Sequence, residues 1–253
     1  MIKFFRKIRR NLLSEGKTGK YFKYAIGEII LVVIGILIAL SINNWNSQRQ
    51  AILKLESNFK YLKEDLNSNK RQLLNLIERR EKVIESCTKL LDNYLERKNI
   101  TSREFISTYY LVVSERKFES VNNGISKIMS SNSIESKEFQ PIRDLLRSYK
   151  NDISKLKELE EKENAFIENM EAKLTSNGFI GDMWINIREI KNGYDTTGIN
   201  PDFDFIRTME YDELKFVIVR YEVVMPWVIE DYNNIIDKGE MIIDEIKNHY
   251  DSK

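Results

Sequence analysis

From Ala25 to Ile42 the chain reads AIGEIILVVIGILIALSI, apolar at almost every position and with no period, so no face of a helix there would be polar. At about 1.5 Å per residue this run spans roughly 27 Å, close to the hydrocarbon thickness of a bilayer, and predicts a transmembrane helix over 25–42. From Gln48 to Arg97 the apolar residues thin to a helical repeat without Gly or Pro. With Ile52 at heptad position a, the a series is Ile52, Phe59, Leu66, Leu73, Arg80, Cys87 and Tyr94, and the d series is Leu55, Leu62, Asn69, Leu76, Val83 and Leu90. That seam predicts a long bundle or coiled-coil helix over about 46–97. Leu74, Ile77, Ile84, Leu91 and Leu95 widen the stripe, which suits packing against more than one helix. Two readings of polar Asn69 and charged Arg80 stand: they set register inside the seam, or, more plainly, they face solvent at its edge.

A second long helix is expected over 141–176, with Pro141 in its first turn and Asn177-Gly178 as its stop. Its apolar series is Ile142, Leu146, Tyr149, Ile153, Leu156, Leu159, Ile167, Met170 and Leu174, and the acidic cluster Glu158 to Glu163 is expected to form a solvated face. A third runs over 211–250 through Leu214, Ile218, Tyr221, Met225, Val228, Ile235, Ile242 and Ile246, with Pro226 expected to kink or interrupt it. Ser102–Ser114 and Glu119–Ser130 read as short helices separated near Lys117. Residues 178–198 are rich in loop formers. The runs 109–113 and 216–219 are β-branched or aromatic enough for strands, but their flanks make them buried helix.

Charge adds orientation. Lys3, Arg6, Lys7, Arg9, Arg10, Lys17, Lys20 and Lys23 face only Glu15 before the apolar run, a net +7 in a chain whose total is +1. Positive charge stays on the cytoplasmic side, so residues 1–24 are expected inside as a basic tail and residues 43–253 outside as a periplasmic helical bundle. Arg6, Lys7, Arg9 and Arg10 are the expected contacts with anionic inner-leaflet lipid, and Tyr24 and Trp45 the interface anchors. A cleaved signal peptide is the alternative, since Ala39-Leu40-Ser41 is a small-x-small site. The run is longer than a usual signal core and carries Glu28, so an uncleaved anchor is expected. Continuous helix through 42–48 would make a rod of roughly 75 Å from the membrane.

The stretch FFRKIRRNLLSEGKTGKYFKYAIGEIILVVIGILIALSINNWN resembles the N-terminal signature of a family of uncharacterised single-span membrane proteins of Gram-negative bacteria that carry a domain of unknown function. A looser similarity follows at FESVNNGISKIMSSNSIESKEFQPIRDLLRSYK. The resemblance implies a bacterial inner-membrane protein with one span and an extracytoplasmic helical region. It implies no activity and no catalytic residues.

The residues themselves offer little chemistry. One Cys excludes an intramolecular disulfide, and Cys87 on the seam reads as a small core residue. The single His, His249, lacks the partners of a nucleophilic pair or metal site. No phosphate-binding glycine loop or nucleophile elbow is present. Asp202 and Asp204 in NPDFD read as turn and helix cap before metal ligands. No catalytic residue, metal or cofactor is expected, and no nucleic-acid partner. Within the span, Gly27, Gly35 and Ala39 offer small positions for self-association, through the span or through the coiled coil. Glu28 reaches the interface or pairs with Lys20 or Lys23; otherwise it is functional.

The expected fold is therefore all-α: one N-terminal transmembrane helix continuing into an elongated, coiled-coil-like bundle. The expected role is a non-enzymatic scaffold, receptor or assembly component whose protein partner the sequence does not name. An ion-coupled or channel-associated subunit using Glu28 is the alternative, and a periplasmic enzyme comes last.

Overall fold

The computed structural model of the chain describes residues 18–114, 116–131, 134, 137–176, 183–185, 187–189, 192 and 203–251. Among these residues every regular element is helical. They include α1 (Thr18–Leu95), α2 (Ser102–Val113), α3 (Asn123–Met129), a 3-10 turn at Lys137–Phe139, α4 (Gln140–Ser176), α5 (Phe205–Thr208) and α6 (Asp212–Asp251). The chain divides into two compact units, residues 1–57 and 58–253, and α1 contributes to both. Most of the loop-forming stretch 178–198 and the basic residues Arg6, Lys7, Arg9 and Arg10 lie outside the described residues.

In the first unit, the apolar side chains from Ile26 to Ile42 are 47–63% exposed on every side of the helix. An eighteen-residue window here has a mean hydropathy of 2.8, and none of it is buried, so this helix is long and apolar enough to cross a membrane. A helix that is apolar all round needs an apolar surrounding to be stable.

In the second unit the seam closes as the heptad predicts from Phe59 onward. Phe59, Leu62, Leu66, Leu73, Val83, Cys87 and Leu90 are all buried. The first seam residue, Ile52, is not: it lies in the first unit and is 57% exposed. The runs 109–113 and 216–219 are helical, as their flanks suggested.

Long-range side-chain bonds fix the helix directions. Asn69 with Tyr149 and Arg80 with Glu160 run α1 parallel to α4. Arg80 with Tyr232 and Thr88 with Glu222 run α1 antiparallel to α6. Glu163 with Arg220 and Asp152 with Lys238 run α4 antiparallel to α6. Because α1 and α4 are parallel, the chain between them must travel back along α1, and α2, the segment 116–122 and α3 take part in that return. Aromatic clusters close both ends of the bundle. Phe139 packs against Phe59 and His249 at one end, and Phe105 against Phe203 and Phe205 at the other.

The ends of the elements follow local chemistry. Helix α1 stops where Arg97 takes a left-handed φ of 56°. Lys98 N–H then donates to the Asn93 carbonyl and Arg97 N–H to that of Tyr94, satisfying two carbonyls of the last turn. Thr101 caps α2, its hydroxyl accepting from Glu104 N–H at 3.2 Å. Asp204 caps α5 by accepting from Arg207 N–H at 3.0 Å, the cap reading for that acid of NPDFD, whereas Asp202 lies outside the described residues.

Of the two outcomes expected at Pro226, a kink or a break, the break does not occur. The helix passes through it, with Val224, Met225 and Val228 buried on either side to hold the turns in place. The helix expected from Glu119 begins only at Asn123, because backbone groups of Arg116, Phe118 and Val121 bond to side chains of α1 and α4 instead.

Candidate functional site: a buried polar junction

Three buried polar side chains of α1 face the returning chain. Asp65 accepts from the backbone N–H groups of Gly124 and Ile125 at 2.6 and 3.2 Å, so its carboxylate sits on the first turn of α3. Asn69 pairs with Val121 through both ends of its amide: Oδ1 accepts from Val121 N–H at 2.7 Å, and Nδ2 donates to the Val121 carbonyl at 2.9 Å. The same Nδ2 donates to the Tyr149 hydroxyl at 3.0 Å. Asn69 thus satisfies a backbone donor and acceptor that this non-helical segment cannot satisfy within a helix. Arg80 donates to the Arg116 carbonyl at 3.1 Å, to Glu160 at 3.3 Å and to the Tyr232 hydroxyl at 2.9 Å.

From α4, Glu160 completes the junction. It accepts from Phe118 N–H at 3.0 and 3.3 Å, from Arg80, and from the Tyr232 hydroxyl. One carboxylate therefore ties α1, α4, α6 and the returning segment together. One turn on, Glu163 forms two parallel bonds with Arg220 at 2.7 and 3.0 Å. A carboxylate at this depth persists because it is paired and fully hydrogen-bonded.

These positions correct two expectations. Asn69 is 0% exposed and Arg80 is largely buried, so neither faces solvent at the edge of the stripe. Glu160 and Glu163 are buried at 3% and 7%, so the acidic cluster is not wholly a solvated face. Its other members behave as expected: Glu158 and Glu161 remain exposed, and Glu158 pairs with Lys162.

The electrostatics match this arrangement. Burial works against the Arg80 charge, but the tyrosines Tyr232 and Tyr221 and the Glu160 carboxylate outweigh it, and its proton is held more tightly than usual. Burial pushes the Tyr232 hydroxyl well above its ordinary range, with Arg80 pulling the other way. Burial likewise raises Tyr149 to about 12 against the opposing bond from Asn69. Cys87 is a core residue, its thiol pushed up to about 12 by burial and then by Glu222.

Beside the junction lies a cavity of about 20 Å³ bordered by Arg80, Arg116, Glu160 and Asn164, room for a single water. A half-open groove of about 320 Å³ separates α1 from α6, floored by Leu66, Leu73, Tyr149 and Gly239 and crossed by the Lys70–Glu240 ion pair. Its floor is already closed to water, so an apolar ligand would remove little additional surface there.

Of the residues singled out for the membrane, Tyr24, Gly27, Glu28, Gly35, Ala39 and Trp45 lie on the first unit's part of α1. Tyr24 and Trp45 are exposed, with Arg49 stacked 5.6 Å from the Trp45 ring. Gly27 and Glu28 are half-buried, and Gly35 and Ala39 are exposed. A Cβ added at Gly27 or Gly35 would meet nothing within 4 Å, so both positions are open to a neighbouring surface. Among the described residues no group of three or more His, Cys, Asp or Glu side chains is placed to hold a metal ion.

Asp65, Gly124, Glu160 and Glu163 are the junction residues that composition and motif reading passes over. For the two glutamates a signal exists, since Leu156, Glu160, Glu163 and Ile167 continue one helical face. For Asp65 and Gly124 nothing local links two positions 59 residues apart. Comparison with protein-family models, with curated proteins and with solved structures finds no match to this chain.

Proposed function

We propose that the protein is a single-span membrane scaffold, receptor or assembly component. Its basic tail lies in the cytoplasm of a Gram-negative bacterium, and its helical bundle lies on the periplasmic side of the inner membrane. One observation carries the reading: the large apolar side chains from Ile26 to Ile42 are exposed around the helix, a pattern that a hydrocarbon surrounding stabilises. The net +7 of residues 1–24 supports the orientation, and the N-terminal resemblance to a single-span family supports the same layout.

The non-enzymatic part of the reading rests on how the buried polar groups are engaged. Asp65, Asn69, Arg80 and Glu160 hold backbone and helices to one another, and none is left presenting a reactive group to an open cleft. Such a bundle presents surfaces. In the membrane, Arg6, Lys7, Arg9 and Arg10 meet anionic lipid, and the face carrying Gly27, Gly35 and Ala39 is available for self-association.

The test is a pair of reporters fused after Lys253, one active only in the periplasm and one only in the cytoplasm. Activity of the periplasmic reporter alone is expected. Activity of the cytoplasmic reporter alone would show that the orientation is reversed, and activity of neither in the membrane fraction would remove the anchor.

A further inference from the structure

The outer face of α6 carries an apolar stripe that the bundle does not use. Phe216, Val223 and Trp227 are 50%, 51% and 62% exposed, and half-exposed Val219 lies between them. Their spacing of three, seven and eleven residues places all four on one side of a helix, turned away from the buried series Leu214, Ile218, Tyr221, Met225 and Val228. On the neighbouring helix α4, Phe166 stands edge-on to Phe216 with ring centroids 5.4 Å apart. Arg220 lies 4.5 Å over the Phe166 ring while its guanidinium is held by Glu163, so the wall on that side is fixed in place. The result is a shallow apolar seat on α6 beside α4, where a fourth long helix would lie.

We propose that this face is the docking site for one amphipathic helix of another protein, seated along α6 as a fourth helix of the bundle. Length and area select this occupant. From Phe216 to Trp227 the stripe runs roughly 17 Å, three turns of helix. Its three most exposed side chains offer roughly 350 Å² of apolar surface, given that a large aromatic presents about 150–250 Å² in full. A stable symmetric dimer needs about 800 Å² from each partner, more than twice that figure, whereas a single helix docked through three or four anchors matches it. Trp and Phe are also the side chains on which docking surfaces concentrate their affinity. The two cations next to the stripe are already paired, Arg220 with Glu163 and Lys215 with Asp212, so the stripe offers its contacts to an apolar helix face.

This deepens the scaffold reading by naming the surface and the partner class, but its test does not depend on which side of the membrane the bundle occupies. A photo-crosslinking amino acid is placed at Val223 in the full-length protein in living cells, with the same group at exposed Lys82 on α1 as the control. The adduct is digested and the linked peptide sequenced. An adduct at position 223 only, linked to another protein's segment with apolar residues three, four and seven apart, is expected. A link to a second copy of this chain, to lipid, or to nothing would overturn the proposal. In a second measurement the crosslinker is moved to Phe216 and Trp227→Asp is added. The adduct should fall at least tenfold while the melting temperature of the extracted protein stays unchanged, because Trp227 contributes little to the core. An undiminished adduct would overturn the assignment of the stripe as the seat.

Discussion

Gly124 lies against the backbone of Leu62: a Cβ built on it would sit 2.4 Å from the Leu62 nitrogen and 2.4 Å from the Tyr61 carbonyl carbon. No side-chain rearrangement relieves that contact, because both atoms belong to the main chain of α1. The close approach lets Gly124 and Ile125 bring their N–H groups to Asp65. Gly124→Ala must therefore push α3 away and loosen those bonds. The expected cost is about 2–3 kcal/mol, in line with overpacked cores, read as a lower melting temperature of the extracted full-length protein. Gly239→Ala is the contrast. Its Cβ would meet Tyr149 and Leu66 at 3.6 and 3.8 Å, ordinary contact distances, and since alanine favours a helix over glycine its melting temperature should hold or rise slightly.

The seam of α1 makes a graded prediction over one short stretch. Leu66 and Leu73 are buried at 2% and 0%, whereas Lys70 between them is only half-buried and pairs with the exposed Glu240. Leu66→Ala and Leu73→Ala should each cost about 2–5 kcal/mol. Lys70→Ala removes one surface ion pair and should cost less than about 1 kcal/mol. Thermal unfolding of the three variants side by side checks the order. Similar small losses at all three sites would mean that this core does not carry the stability of the protein.

Much of this fold is legible in the sequence because its order is local and periodic. The a and d series predicted the buried positions from Phe59 to Leu90, and the second and third helices fall within about one residue of their expected ends. The junction is hard to read from sequence for a physical reason. The periodicity that placed Leu156 and Ile167 in the core also placed Glu160 and Glu163 there, yet their charge argued for solvent. Charge type prevailed over period in that reading, whereas in the fold a paired carboxylate satisfied the period. Asn69 and Arg80 followed the same logic on α1. What no local pattern could show is the target of these side chains: the backbone of residues 116–125, brought back along α1 because α1 and α4 run parallel.

The end of α1 carries a removable strain. Arg97 adopts a φ of 56°, a left-handed conformation that costs a side chain with a Cβ about 1–2 kcal/mol and costs glycine almost nothing. Glycine also gains freedom in the unfolded chain, which offsets part of the benefit. Arg97→Gly should therefore stabilise the protein by about 0.5–1 kcal/mol, a rise in melting temperature of roughly 1–4 °C for a domain of this size. A lower melting temperature would show that the Arg97 side chain makes a contact worth more than the strain.

Alkaline pH should expose the burial of Cys87. The thiol is 0% exposed and raised to about 12, first by burial and then by Glu222. In the unfolded chain a thiol ionises near pH 8.5. Between those values the unfolded state has released a proton that the native state still holds, so the unfolded state gains as pH rises. Stability attributable to this group is complete below the unfolded value and is lost as pH climbs toward about 12. The slope approaches about 1.4 kcal/mol per pH unit for one proton. Tyr149, raised to about 12 by burial, adds the same sign of slope only above pH 10, where an unfolded tyrosine ionises. The window from about pH 9 to 10 therefore isolates the thiol. Cys87→Ala should start less stable at pH 7, because it leaves a small cavity in the seam. It should then lose stability more slowly than the wild type through that window, so that the two melting temperatures converge. Parallel curves from pH 7 to 10 would mean that the thiol ionises as readily in the folded protein as in the unfolded chain, and that the seam at Cys87 is open to water.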